Sequence, residues 1–478
     1  MSPPPVVIAN VLADRYASQE MATLWSAENK VVLERRFWVA VLEAQHDAGL
    51  DVGPEAIGAY RAVVEDVDLV SIRRREEINR HDVKARIEEF CALAGYEDIH
   101  KGLTSRDLTE NVEQLQIVRG LHLIRGRVLA VLKRLGERAS EYESLVVAGR
   151  THNVPAQATS LGKRFANVAE ELLIGLERLD GLLERYPLRG IKGPVGTQLD
   201  QLELLGSAEA VAHFEHDIAA RLGFDRVLDS VGQVYPRSLD FDVVSALLQV
   251  ASGLANLGLM VRLMAGTDSV TEGFKDGQVG SSAMPHKMNT RSTERIGGFM
   301  TILRGHLAMA SSLAGDQWNE GDVSCSVVRR VMLPDSFFAA EGALLTTITV
   351  LDEFGAYPDV VSQEFEKYLP FLATTKLLVA AVQLGEGREI THEVIKEHAV
   401  SAALAMRTNG TEADRDLFAR LGADDRYPLG MAEISNLIGE PTEFVGLASA
   451  QIAAVLRRIG AAVATDPEAA GFVPRPLL

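Results

Sequence analysis

Residues 104–142 read TSRDLTENVEQLQIVRGLHLIRGRVLAVLKRLGERASEY, and this stretch is the strongest indication of the fold. Its apolar residues recur at steps of three and four, which is the spacing of one face of a helix. Those positions are Leu108, Val112, Leu115, Val118, Leu121, Ile124, Val128, Leu132 and Leu135. Thr104 and Ser105 stand in front of Asp107, as in a capping box at the start of a helix. We therefore predict one helix running to about Tyr142, longer than an ordinary globular helix.

Other stretches in the middle of the chain show the same long helical periodicity. One begins near Ser160, and its apolar positions are Leu161, Phe165, Val168, Leu172, Leu176, Leu179 and Leu183. Further long helices are predicted at 237–266, 290–314 and 326–354, the last with a bend at Pro334. Helices of this length and spacing predict a bundle in the middle of the chain.

Shorter helices flank the predicted bundle on both sides. Before it, helices are predicted from about Ala22 to Ala48 and from about His81 to Cys91, each ending near a glycine. After about residue 366 the helices shorten, and glycine, proline and aspartate breaks return. Alternating strand patterns are almost absent, so the predicted fold class is all-α. We expect three helical domains, with residue ranges 1–110, 111–365 and 366–478.

Composition argues against two broad classes of partner. The chain has 48 Lys and Arg against 66 Asp and Glu, a net charge of −18, which disfavours nucleic acid and anionic membrane. An anionic ligand must therefore be held by a local basic pocket. The uncharged run Val243–Val261 is long enough to span a bilayer. A polar stripe nevertheless recurs along it at helical spacing, which predicts a helix buried in a bundle instead; the stripe is Ser245, Gln249, Ser252 and Asn256.

The cysteine content and the first residues predict a cytoplasmic protein without a metal or other cofactor. Cys91 and Cys325 are the only cysteines, too few for a disulfide framework or a zinc cluster. The start, Met1-Ser2-Pro3-Pro4-Pro5, lacks the charged and apolar blocks of a signal peptide. Phosphate-binding glycine patterns of nucleotide folds do not occur. Histidines with no metal-ligand spacing are His81, His100, His152 and His286.

Polar clusters interrupt the apolar pattern where predicted helices begin or end. The first is His100-Lys101-Gly102-Leu103-Thr104-Ser105, whose hydroxyls and backbone N–H groups at a helix N-terminus suit a carboxylate or a phosphate. Plain helix capping would explain Thr104 and Ser105 equally well. The second is a loop, Gly149–Gln157, before the second bundle helix; alone, its His152 would more often be structural than catalytic.

The third cluster is Gly280-Ser281-Ser282-Ala283-Met284-Pro285-His286-Lys287-Met288-Asn289, which combines hydroxyls, an imidazole, an ammonium and an amide. Gly266, Gly273 and Gly277 precede it, and such an approach is typical of a lid that closes over a substrate. A glycine-rich surface turn has a similar composition. Ser281 does not lie in G-x-S-x-G, which argues against a hydrolase nucleophile.

In this order and at this separation, the three clusters resemble the signature regions of the fumarase/aspartase superfamily. The pattern G-S-S-x-M-P-x-K-x-N marks that superfamily. Pro285-His286-Lys287, Arg80-His81-Asp82-Val83 and Arg15-Tyr16 resemble its adenylosuccinate branch. The resemblance covers nearly the whole chain, and it implies a long-helix bundle that assembles into a homotetramer. Each active site would then be built from three chains.

The resemblance also implies a reaction, the β-elimination of fumarate from a phosphorylated succinyl-purine substrate. Adenylosuccinate is the expected substrate, together with the succinylated aminoimidazole carboxamide ribotide of purine synthesis. By resemblance Ser281 is the general base, acting as an alkoxide stabilised by Lys287. His152 is the implied general acid for the leaving nitrogen, a role that suits a group with an ordinary pKa near neutrality.

The same resemblance implies which residues bind the substrate. A first group faces its carboxylates and the carbanion that elimination forms; the group is Lys287, Asn289, Thr104, Ser105 and Gln233. A second group matches positions that contact the phosphate or the nucleotide; it is Arg15, Tyr16, His81, Arg295, Ser326 and Arg330. Arg80, Asp82 and His100 lie in stretches that resemble further features of the branch.

One departure from the branch concerns the expected phosphate site. Where relatives usually read Glu-Arg before the motif that contains Ser326, this chain reads Glu320-Gly321. The loss of that arginine weakens the implied phosphate clamp, because paired guanidinium donors suit a phosphate. Arg329 and Arg330 are the candidates to compensate.

Two other functions remain open from the sequence. One is another lyase of the superfamily, such as argininosuccinate lyase or a cycloisomerase, whose substrates carry no phosphate. The other is a non-catalytic helical scaffold, because fold does not determine function. Against the scaffold speaks the joint presence of Ser281, His152, Lys287 and Asn289.

Overall fold

The computed structural model is helical over most of its length and describes residues 9–273, 283–284, 286–409 and 416–475. The first helices are α1 (Val11–Arg15), α2 (Gln19–Leu24), α3 (Ala27–Asp47), α4 (Pro54–Ala62), α5 (Leu69–Asn79) and α6 (Asp82–Ala94). The middle of the chain forms α7 (Ser105–Glu141), α8 (Leu161–Arg185), α9 (Leu199–Leu205), α10 (Ala208–Arg221), α11 (Ser238–Ala265), α12 (Arg291–Leu313) and α13 (Cys325–Glu353). The last helices are α14 (Pro358–Leu372), α15 (Thr374–Gln383), α16 (Arg388–Asn409), α17 (Asp416–Gly422), α18 (Met431–Ile438), α19 (Ala448–Val463) and α20 (Pro467–Ala470).

The helix predicted from residues 104–142 is confirmed as α7. The Asp107 carboxylate accepts the Thr104 N–H at 2.8 Å and so caps the first turn. The predicted apolar face is buried, apart from the partly exposed Val118. The long helices predicted near Ser160 and at 237–266, 290–314 and 326–354 are confirmed as α8, α11, α12 and α13. Helix α13 continues through Pro334, and the bend there stays a prediction.

The five long helices α7, α8, α11, α12 and α13 form a bundle in which neighbours have fixed directions. Helices α7 and α13 are parallel, since Arg106 contacts Ser326 near their starts and Arg138 donates to the Leu351 carbonyl near their ends. Helix α11 is parallel to α7 and α13, whereas α8 and α12 are antiparallel to them. We call the end where α7, α11 and α13 begin the amino end, and the other the carboxyl end.

Helix α11 contains the long uncharged run, and its polar stripe lies against α8. Arg178 of α8 donates to the Gln249 side chain at 2.8 Å, and Asn256 donates to Glu171 at 2.6 Å. By length and composition α11 and α13 could cross a membrane, but 56% and 83% of their apolar windows are buried inside the protein. Core helices of soluble proteins pass the same test, so the predicted bundle helix is confirmed.

The structure differs from the sequence prediction at two places. The helix expected from Ala22 to Ala48 is two helices, because Ser26 interrupts it and its Oγ accepts the Asn29 N–H at 3.1 Å as an N-cap. The loop expected at Gly149–Gln157 is instead a hairpin of β1 (Val146–Thr151) and β2 (Val154–Ser160). A second small sheet joins β3 (Val270–Thr271) to β4 (Gly355–Ala356).

The hairpin escaped prediction because its turn leaves little trace in the sequence. His152 and Asn153 both have positive φ, 53° and 62°, the backbone of the tight turn that matches strand twist. Such turns usually carry glycine, which is absent here. The register also shifts between Gly149 and Arg150, which breaks the alternation of apolar and polar residues expected of a strand.

Two of the hydrophobic clusters in the described part of the chain are much larger than the others. The larger fills the bundle, and Ile452, Val455 and Ile459 of α19 belong to it. A smaller core lies between Ala373 and Ile438. The division into three domains at 110/111 and 365/366 remains a prediction.

Candidate active site

A cavity at the amino end of the bundle contains four of the predicted site residues. It has a volume of about 540 Å³, and its walls come from α3, α5, α6, α7 and α13 and from Trp25, which follows α2. The predicted residues that line it are Arg80, His81, Asp82 and Arg330. Burial disfavours ionisation of Asp82, but Arg86 and the Val83 N–H outweigh it and keep the Asp82 pKa below its usual value. The cavity therefore presents charged groups of both signs.

His81 connects this cavity with the start of α7. Its Nδ1 accepts the Lys84 N–H at 3.2 Å, which makes His81 the N-cap of α6. In the neutral ring the proton then sits on Nε2, 3.4 Å from Ser105 Oγ. The predicted residues His81 and Ser105 are thus brought together.

His100 is held as a neutral ring beside the same helix start. Trp38 Nε1–H donates to His100 Nδ1 at 3.2 Å. Burial lowers the pKa of His100 to about 4, so the ring carries no charge at neutral pH. Because Nδ1 accepts, the proton of this ring also lies on Nε2.

Ser326 and Gln233 also lie at the amino end. Arg106 of α7 donates through Nη2 to Ser326 Oγ at 3.0 Å. The Gln233 N–H donates to the Glu320 carbonyl at 2.6 Å, which joins the loop before α11 to the loop before α13. Gln233 therefore lies directly beside the departure at Gly321.

Buried ion pairs hold these loops behind the cavity. The Asp107 carboxylate accepts Arg189 Nη1 at 2.6 Å and the N–H groups of Lys192 and Gly193 at 3.0 Å. Arg189 Nη2 donates in turn to the Gly232 carbonyl at 3.1 Å, next to Gln233. Both charged side chains are fully buried, so the pairing fixes the position of the loop.

A second cavity, of about 690 Å³, lies at the carboxyl end and is lined by Lys287 and Asn289. Glu272 closes one side of it and caps α12, accepting Ser292 N–H at 2.7 Å and Thr293 N–H at 2.9 Å. This carboxylate joins the chain before the third cluster to the chain after it. Ser281, the predicted general base, lies outside the described residues.

His152 lies at the tip of the β1–β2 hairpin, where it is exposed. Tyr142, at the end of α7, stands at the base of the hairpin with its ring 5.6 Å from that of Phe354, so the hairpin belongs to the carboxyl end. An ion pair between Arg150 and Glu364 fixes it to α14. The predicted acid therefore lies at the tip of a hairpin that an ion pair anchors to α14.

Tyr16 and Arg295 form a third location, partway along α13. The Tyr16 ring meets Phe299 edge-on at 5.2 Å, and the Arg295 guanidinium lies 5.3 Å from the Tyr16 ring centre. Arg15 is exposed and lines a separate groove. Among the described residues, no group of three His, Cys, Asp or Glu side chains is arranged to hold a metal ion.

Comparison with known proteins identifies the family. Residues 12–305 match the family model described as Lyase, and residues 370–455 match that described as Adenylosuccinate lyase C-terminus. The adenylosuccinate lyase of Saccharomyces cerevisiae is 34% identical over 449 residues, 92% of each chain. The chain belongs to the adenylosuccinate lyase family. The adenylosuccinate lyase of Schistosoma mansoni is 30% identical to it over 93% of each chain.

Solved structures support the fold of this adenylosuccinate lyase family member. A fumarate lyase from Mesorhizobium sp. BNC1 has a TM-score of 0.79 at 22% identity, covering 93% of this chain and 98% of that one. The 3-carboxy-cis,cis-muconate lactonizing enzyme from Pseudomonas putida has a TM-score of 0.80 at 19% identity, covering 95% and 99%. At these identities the likeness concerns the fold alone. The predicted family, the all-α fold and the enzyme class of a C–N lyase are confirmed.

In one chain, the residues assigned to the adenylosuccinate lyase site are far apart. Arg330 lines the amino-end cavity, whereas Gly273 lines the carboxyl-end cavity and packs against Glu353. Arg330 and Glu353 are 23 positions apart on α13, which is roughly 35 Å at about 1.5 Å per residue. One substrate cannot contact both cavities of the same copy.

Sequence reasoning missed the buried polar residues that position the site. Asp107, Glu110, Asn111 and Gln114 lie on α7 and are all fully buried. Their spacing of three, one and three places them on a single helix face. A polar stripe of this kind on a long helix is the signal that could have revealed the network behind the amino-end cavity.

Proposed function

We propose that the chain converts adenylosuccinate into AMP and fumarate, and likewise cleaves the succinylated aminoimidazole carboxamide ribotide. The observation that carries this proposal is the identity of 34% with an adenylosuccinate lyase over 92% of both chains. The amino-end cavity supports it, because its cationic side chains suit a phosphorylated ligand; they are Lys30, Arg80, Arg86 and Arg330.

The reaction is a β-elimination in two proton transfers. Ser281 removes a proton from the succinyl carbon next to a carboxylate, and the electron pair delocalises into that carboxylate. The pair then forms the double bond of fumarate as the C–N bond breaks, and His152 protonates the departing nitrogen. Lys287 and Asn289 stabilise the extra negative charge of the intermediate.

The amino end binds the remainder of the substrate. Thr104 and Ser105 stand at the start of α7, where backbone N–H groups and the helix dipole favour an anion. Gln233 lies on the adjoining loop and serves as a second carboxylate contact. His81, through Nε2–H, orients the Ser105 hydroxyl.

The working site combines several copies of the chain in a homotetramer. The separation of the two cavities supports this arrangement, since the carboxyl end of one copy must meet the amino end of another. Exposed apolar side chains along the bundle are typical of subunit interfaces; examples are Leu259, Leu263, Met309, Val327 and Val331. Within the described chain, Tyr16 also packs beside Gly342, roughly 24 Å along α13 from Ser326 at about 1.5 Å per residue, so a shared phosphate would need two copies.

A cytoplasmic location is part of the proposal. Cys91 and Cys325 are both free thiols, which suits a reducing compartment. Neither nucleic acid nor membrane is a proposed partner, in keeping with the net charge of −18.

Fumarate release by the purified protein tests the function. The chain is expected to release fumarate from adenylosuccinate and from the ribotide, and to leave phosphate-free argininosuccinate intact. Failure on both phosphorylated substrates would overturn the proposal. Ser281→Ala is expected to abolish turnover while substrate still binds, and unchanged turnover would remove Ser281 as the base.

A further inference from the structure

The face of α13 that carries Ser326 continues into the amino-end cavity. Ser326 and Arg330 are four positions apart, so their side chains lie on one face of the helix. Arg330 lines the cavity with a side chain that is 69% exposed. An anion bound at Ser326 would therefore lie next to the cavity, at the first turn of a 29-residue helix.

The loop before α13 cannot supply a guanidinium to this face from position 321. Gly321 has a φ of 147°, a backbone conformation that favours glycine. A Cβ at this position would lie 3.0 Å from Gln233 Cβ, which is too close without a shift of the neighbouring loop. The backbone itself thus suits glycine here, and a cation must come from elsewhere.

Arg329 is excluded as that cation because its guanidinium is used inside the protein. Its side chain is 3% exposed. Nε donates to Asp240 at 2.7 Å, and the other nitrogens contact Glu113 and Tyr235. These contacts tie α13 to α11 and α7, so Arg329 cannot turn outward without breaking buried ion pairs.

Arg106 is the guanidinium already at Ser326. Its Nη2 donates to Ser326 Oγ at 3.0 Å, and its Nη1 donates to Glu110 at 3.1 Å. The side chain is 14% exposed, so packing holds it in place. A guanidinium has five N–H donors, and these bonds use two of them. The Ser326 hydroxyl accepts from Arg106 and keeps its own proton to donate.

The positive charge of Arg106 is only partly neutralised. Glu110 Oε1 also accepts Arg237 Nη2 at 2.9 Å, and Arg329 Nη1 lies 3.8 Å from the same atom. Because Asp240 and Glu113 already pair with Arg329, Glu110 is left to balance two guanidinium groups, those of Arg106 and Arg237. Such a site attracts a further anion, because low exposure strengthens the uncompensated charge.

We infer that Arg106 binds the phosphate of the substrate together with Ser326. Arg330 adds a second guanidinium from one turn further along α13. Arg106 thereby supplies the phosphate-binding guanidinium that relatives usually have at the position of Gly321. The inference rests on the proposed function, since the phosphate belongs to the substrate that it assigns.

Binding of AMP and adenosine, measured by calorimetry, tests the inference without turnover. Arg106→Gln is expected to weaken AMP binding by about tenfold to a hundredfold, as for a lost charge-assisted bond, and to leave adenosine binding nearly unchanged. Arg106→Lys is expected to lie between, since an ammonium keeps the charge but not the paired donors. The matched control is Arg457→Gln, which removes one exposed positive charge on α19.

The inference is overturned if Arg106→Gln prefers AMP over adenosine as strongly as Arg457→Gln does. It is also overturned by the absence of that preference in the unaltered chain. If Arg106→Gln does not fold, AMP binding is measured in Arg106→Lys and Ser326→Ala instead. Normal AMP affinity in both of these variants overturns the inference. Fumarate release by the unaltered chain is measured separately; its failure removes the proposed function, whereas the AMP titration still reports on Arg106.

Discussion

The two ends of the bundle are built by different physical means. At the amino end, fully buried charges face one another, as Asp107 does Arg189, and together they lock loops from distant parts of the chain. At the carboxyl end, packed aromatic rings hold the elements together: the ring centre of Phe354 lies 5.6 Å from that of Tyr142 and 5.1 Å from that of Phe165. The polar residues His152 and Lys287 stand exposed beyond these rings.

The two constructions indicate which part of the proposed site is complete within one copy. Buried ion pairs are costly unless every partner is in place, so the amino end is preorganised before a ligand arrives. Exposed side chains on a hairpin and on a cluster before α12 gain a fixed environment only when another surface covers them. Binding of the nucleotide by the amino-end cavity is thus expected of a single copy, whereas contacts from the Tyr16 location and proton transfer are expected of an assembly.

The largest expected effect comes from the hairpin tip. His152→Asn is expected to lower kcat/KM for the release of fumarate from adenylosuccinate by about 10²–10⁴-fold, because the general acid is lost. Asparagine tolerates the positive φ of this turn, so the hairpin is retained. The control Asn153→Gly keeps the turn as well and is expected to retain activity. A His152→Asn enzyme as active as this control would contradict the assignment.

Mixing variants from opposite ends tests whether the ends meet across copies. His81→Ala alters the amino end, and His152→Asn alters the carboxyl end. If each site takes these residues from different copies, random co-assembly restores about one site in four. If both residues came from one copy, co-refolded mixtures would stay as inactive as the separate variants.

The next effect concerns the buried charges of the amino end. Asp107→Asn is expected to lower the free energy of unfolding by about 3–5 kcal/mol, because it leaves Arg189 buried without a counter-charge. Urea denaturation followed by circular dichroism measures this change. Asp98→Asn is the matched control: it removes a partly exposed pair with Lys101, worth less than about 1 kcal/mol. Equal losses in the two variants would show that the buried pair has no special role.

The bundle could be predicted from the sequence because long helices repeat their apolar spacing many times. Leu108 to Leu135 gives nine consistent positions, and the helix bounds follow within one residue. The family could be predicted because the three clusters have a distinctive order. The contact of Arg106 with Ser326 could not be predicted, since the two residues are 220 positions apart and only the parallel packing of α7 and α13 brings them together. The β1–β2 hairpin was missed for a local reason, a turn without glycine.

The smallest expected effect is a pH dependence at the amino end. Burial lowers the pKa of His100 to about 4, below the value of about 6.5 for an unfolded chain. The folded state therefore favours the neutral ring, and the associated stability is fully present above pH ~6.5. As the pH falls from about 6.5 to about 4, the unfolded chain takes up a proton that the folded chain resists, and at most about 3 kcal/mol is lost.

His100→Gln removes this titration, so its stability is expected to fall less than that of the unaltered chain between about pH 6.5 and 4. Denaturation midpoints across this range measure the difference. His392→Gln, on the exposed surface of α16, is the control and is expected to follow the unaltered chain. If His100→Gln also follows it, the ring is hydrated in solution, and the amino end is less closed than its buried ion pairs require.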